Sequence, residues 1–119
     1  MKKYLGILIL FLSLSMNAQS LSKQFDVKEY AQEQTEMIKS TLNLDQATAD
    51  KVYKATLRKA YSIHKYIILS EQRGTAQGKT LNQVIEMVQK DAERGSGYQQ
   101  SMKAILGEKY DLFVEKFVK

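Results

Sequence analysis

The chain has 119 residues, 44% of them hydrophobic and 26% charged, with no proline, cysteine or tryptophan. That composition is too apolar for a disordered chain, and the length fits one domain. Lys2 and Lys3 lie in a leader-like segment; without them 16 basic and 13 acidic residues remain, a net charge of +3. A surplus that small argues against a dedicated nucleic-acid binder, and the missing cysteines exclude a disulfide framework.

The N-terminus has the three parts of an export signal. Met1-Lys2-Lys3 is a positive n-region, Tyr4 to Leu14 an apolar run, and Ser15 to Ser20 a small, polar cleavage stretch. Residues 1–20 are therefore expected to be a signal peptide cut near 18–20, leaving 21–119 as one helical domain. The apolar run is about half of the ~20 residues that a spanning helix needs, so no stable membrane insertion is expected after cleavage. No cysteine follows it, so it is not a lipoprotein signal. The Asn17-Ala18-Gln19 ending resembles leaders of Bacteroidetes-type bacteria, which implies a periplasmic location.

The rest of the chain predicts four to five amphipathic helices and no strand, in an elongated all-α hairpin or bundle. The first helix runs from near Asp26 to Thr41, with Val27, Tyr30, Ala31, Gln34, Met37, Ile38 and Leu42 at three- and four-residue spacing. Ser22 or Asp26 caps it. After Leu44, Asp45 is the expected N-cap of a long second helix, Gln46 to about Gln72, stopped by Gly74. Its apolar stripe includes Val52, Leu57, Ala60, Ile63, Ile67 and Ile68. Thr80 with Gln83 forms a capping-box pattern for a third helix ending at Arg94, where Gly95 is the expected stop. Ser96 with Gln99 repeats that pattern and opens a fourth helix, broken at Gly107 before Tyr110, Phe113 and Phe117 continue an apolar face.

No catalytic constellation stands out, and the sequence is read as non-enzymatic, without cofactor or metal. Gly74 to Thr80 imitates a phosphate-binding loop, but it has one residue too few between its glycines and follows a helix instead of a strand. His64, the one histidine, has no partner nucleophile in any recognisable pattern and reads as a packed, half-buried side chain. The six tyrosines beyond the leader recur at helical spacing and read as core. Charge patterning gives the best candidate site. Lys51, Lys54, Arg58 and Lys65, bordered by Tyr61, fall on one side of the second helix, opposite the apolar stripe. This row holds anionic lipid, an acidic partner or an unfolded polypeptide, or its charges face solvent or pair with Glu29, Glu33 and Glu36 of the first helix.

Leu42-Asn43-Leu44-Asp45 opening a long helix, together with Met102 to Tyr110 followed by Phe113, resembles the Spy/CpxP-like periplasmic proteins, which carry a Leu-Thr-x-x-Gln motif near each end of the domain. Leu44 and Leu106 match; Asp45 and Gly107 replace the threonines, and Thr48 stands at the first glutamine position. The chain is similar to a diverged member. The resemblance implies a helical hairpin, an antiparallel homodimeric cradle, and an ATP-independent chaperone or envelope-stress modulator. Its partners would be unfolded or envelope proteins, or a sensor-kinase domain. A single histidine and no cysteine argue against a zinc role seen in that family. The alternative is a structural module with one dedicated envelope partner.

Overall fold

The structure is a computed structural model that describes residues 20–119; the expected leader, up to Gln19, lies outside them. The described chain is all-helical: α1 (Leu21–Gln24), α2 (Val27–Leu42), α3 (Gln46–Arg73), α4 (Leu81–Ser96), α5 (Tyr98–Leu106) and α6 (Tyr110–Phe113). A 3-10 turn, Gly107–Lys109, precedes α6, and a π turn, Val114–Val118, ends the chain. Among the described residues no helix is long and apolar enough to cross a membrane.

Side-chain caps set where these helices start. Asp26 accepts from the Glu29 amide, and Asp45 accepts from the Thr48 amide at 2.8 Å. Thr80 and Gln83 form a complete capping box: the Gln83 backbone amide donates to the Thr80 hydroxyl, and the Thr80 backbone amide donates to the Gln83 side-chain oxygen. Each satisfies donors that a helix start leaves open. Gly74 ends α3 in the left-handed conformation, as expected. The α4–α5 junction differs from the expectation. α4 runs through Gly95 to Ser96, and Gly97, at φ 66°, is the left-handed residue. A helix interior tolerates glycine at a cost of about 1 kcal/mol, whereas the reversal itself demands positive φ. Ser96 and Gln99 do not cap α5: the Ser96 hydroxyl donates back to the Glu93 carbonyl, and the Gln99 side chain turns to the Glu93 carboxylate.

α1 was missed by periodicity because four residues show no period. It is fixed to α3 by tertiary bonds. The Leu21 amide donates to Glu71, and His64 donates from Nε2 to the Ser22 carbonyl at 3.0 Å while its ring stacks on Phe25. His64 is thus a packed, half-buried side chain.

α2 and α3 form an antiparallel hairpin against which α4, α5 and the C-terminal turns pack, giving a body of 44 × 26 × 23 Å. α3 alone is about 42 Å long and runs its length. Two apolar cores lie along it. The first joins Phe25, Ile63, Ile67, Leu81, Val84 and Val88; the second joins Ile38, Leu42, Leu44, Val52, Met102 and Phe113. Full burial of such a side chain contributes about 1.5–3 kcal/mol. Between the two cores lies a belt of buried polar residues, Gln34, Thr35, Thr56 and Lys59.

The Asp45 cap generates a pH prediction. The Thr48 amide and hydroxyl, and then Lys109 and Lys51, hold the Asp45 carboxyl below its usual value. A folded-state value below the unfolded one adds stability above roughly pH 4, lost as pH falls through the folded-state value. Asp45→Asn keeps the acceptor without the charge. In thermal melts followed by circular dichroism, the wild type is expected to be the more stable at pH 7, and the gap is expected to close in acid.

Candidate functional site

The 100° step of α3 assigns its residues to opposite sides. Val52, Ala55, Ala60 and Ile63 point into the cores, while Lys51, Lys54, Arg58, Tyr61 and Lys65 are all exposed. The strip they form is about 21 Å long, from fourteen rises of 1.5 Å. Tyr61, in its middle, keeps 53% of its surface exposed. Arg58 donates to the Ser101 hydroxyl at 3.3 Å, so the strip borders α5.

Of the two internal alternatives for this row, pairing with the α2 carboxylates or facing solvent, the structure shows the second. Among the described residues the ion pairs are Lys59–Glu93 and Arg94–Asp91. Among the described residues, Lys51, Lys54, Arg58 and Lys65 therefore have no carboxylate within 4 Å, and neither Glu29, Glu33 nor Glu36 has a cation at that distance. The hairpin aligns the two helices but leaves their charged faces turned to solvent, where a pair would contribute at most about 1 kcal/mol. Partial burial, then the neighbouring Glu29 charge and a hydrogen bond shared with it, push the Glu33 carboxyl up.

The fifth cation of this segment, Lys59, goes inward and was not singled out from the sequence. Its Nζ lies 3.2 Å from Glu93 Oε2, with 4% of the lysine side chain exposed. It also sits 4.4 Å from the centroid of the Tyr98 ring, within cation–π range. Glu93 accepts from Gln89 and Gln99, and Gln99 in turn accepts from the Tyr110 hydroxyl at 3.0 Å. Burial pushes the Tyr30 and Tyr98 hydroxyls up; the Glu93 charge adds to this at Tyr30, while Lys59 opposes it at Tyr98. Both phenols stay protonated at neutral pH. The network links α3, α4, α5 and α6 and reads as a staple, its donors and acceptors engaged with one another. The sequence clue was faint: Lys59 lies about 80° from Lys51 on the helical wheel, at the edge of the apolar stripe.

Among the described residues no group of three or more histidine, cysteine, aspartate or glutamate side chains has the grouping to hold a metal ion. α2 and the C-terminal π turn bound an open groove of about 800 Å³ that periodicity alone did not announce.

Removing Lys59 leaves Glu93 charged and poorly compensated. Lys59→Met is expected to cost about 3 kcal/mol in urea unfolding at pH 7, the low end for a broken buried pair because Glu93 is partly exposed. Adding Glu93→Gln is expected to recover part of that loss, since the amide keeps hydrogen bonds without the charge. Equal stability of the single and double variants would show that the charge pairing contributes little.

No protein-family model, curated protein or solved structure matches the chain.

Proposed function

We propose that the chain is a non-enzymatic helical binding protein of the periplasm, of the Spy/CpxP type, and that the basic row of α3 is its partner surface. The observation that carries this reading is the row itself: four cations and an exposed tyrosine on one strip, with no carboxylate of the described chain within 4 Å. Cations that form no internal ion pair act over distance, steering an acidic surface into encounter and fixing its register. Tyr61 gives the strip an amphipathic anchor of the kind enriched at interface centres.

The shape favours a folded acidic partner, such as an envelope protein or a sensor domain, over broad capture of unfolded chains. Most apolar side chains sit in two cores, and the large exposed ones among the described residues are Tyr61, Met87, Leu112 and Val118. These four positions lie on three different helices and the terminal turn. Client buffering remains the second reading, supported by Tyr61 within the charged strip.

Lys54→Glu with Arg58→Glu is expected to leave the helical circular dichroism intact and to weaken partner capture at least tenfold. A photo-reactive side chain placed at position 61 should cross-link one dominant partner in the periplasm, in a salt-sensitive manner. A ladder of many products, together with suppressed aggregation of an acidic model client, would support the buffering reading. Capture unaffected by the double charge reversal would make the row a solvated surface only.

A further inference from the structure

The groove between α2 and the C-terminal turn is a surface separate from the basic row, and it has the opposite chemistry. On the α2 wall stand Glu33, Glu36, Met37 and Thr41; on the other stand Lys116 and Phe117. Met37 and Phe117 are half-buried, so the groove has an apolar lining that remains accessible. Its volume, about 800 Å³, falls in the range of formed ligand sites. Glu33 and Glu36 have no cation within 4 Å among the described residues, Lys116 included, and Glu29 extends the same row by one turn.

We propose that this groove binds a cationic amphipathic helical peptide, its apolar face on Met37 and Phe117 and its lysines or arginines against Glu33 and Glu36. The pairing follows from register. Glu33, Glu36 and Met37 lie three and four residues apart on α2, the spacing at which a docked helix presents its own side chains. A purely cationic ligand leaves the apolar lining wet, and a purely apolar one leaves two carboxylates without a cation. A peptide with both features satisfies both. Such peptides also insert into anionic membrane surfaces through the same two properties, so the groove would compete with the membrane for them.

A second copy of this chain is the weaker occupant. Its exposed basic row on α3 brings one large apolar side chain, Tyr61, where two lining residues call for two anchors.

The test uses the processed chain and a labelled 14-residue Leu/Lys peptide in helical amphipathic order, with a control of equal composition in scrambled order. Fluorescence anisotropy should give saturable 1:1 binding, at least tenfold weaker for the scrambled control. Glu33→Gln with Glu36→Gln, and separately Met37→Asp, should each weaken binding at least tenfold with unchanged circular dichroism. Lys54→Glu with Arg58→Glu should not weaken it, which separates this site from the basic row; loss of binding there would overturn the proposal. Absent saturation, equal binding of the scrambled peptide, or insensitivity to the groove variants would overturn the proposal. So would sedimentation showing a dimer of the processed chain that Glu33→Lys with Glu36→Lys disperses, because the groove would then belong to the second copy.

Discussion

The Lys59–Glu93 pair holds the rest of the molecule in register. It lies where two apolar cores meet, with Lys59 almost wholly buried and Glu93 mostly so. A buried ion pair is a weak source of net stability, because desolvating the charges offsets most of their attraction. Its directional hydrogen bonds do something that apolar contacts do not: they specify one alignment. Glu93 reaches α5 through Gln99, Gln99 reaches α6 through Tyr110, and Lys59 lies against the Tyr98 ring. Sliding α4 along α3 by a turn would bury the carboxylate without its cation. Two cores of interchangeable aliphatic side chains would tolerate such a slip; the polar belt between them does not.

Much of the fold was legible because helices declare themselves through period and caps. Asp26, Asp45 and the Thr80–Gln83 box mark their helix starts in sequence and in space alike. The errors share a cause. Ser96 and Gln99 imitate a capping box, but Ser96 still lies inside α4 and bonds back to the Glu93 carbonyl, while the Glu93 carboxylate, paired with the buried Lys59 of α3, takes the Gln99 side chain. Gly95 and Gly97 look equivalent in one dimension, and only the backbone reversal distinguishes them. α1 is held by Glu71 and His64, residues more than forty positions away.

The candidate surfaces divide in the same manner. The exposed row from Lys51 to Lys65 was readable because a single helix generates it. Lys59 was not, since a cation at the edge of an apolar stripe looks alike whether it snorkels outward or finds a buried carboxylate. The α2 groove joins residues some eighty positions apart, Met37 and Phe117. Neither segment alone announces it. What does follow from sequence is the charge patterning: a row of carboxylates at Glu29, Glu33 and Glu36 of α2, and a row of cations from Lys51 to Lys65 of α3. The hairpin preserves this patterning instead of neutralising it, leaving one small domain with two chemically opposed faces.

α3 contributes to both cores, with Val52 and Ala55 in one and Ala60, Ile63 and Ile67 in the other. Neither half possesses a complete set of helices without it. Openings therefore differ in their reach: one confined to the C-terminal turns disturbs a single core, while any opening that frays the middle of α3 is felt at both ends. In amide exchange, the centre of α3 would form the slowest cooperative unit, and the terminal turns flanking the α2 groove would belong to the faster one. The groove would thus adjust its width to an occupant at little free-energy cost, on a spine that stays closed.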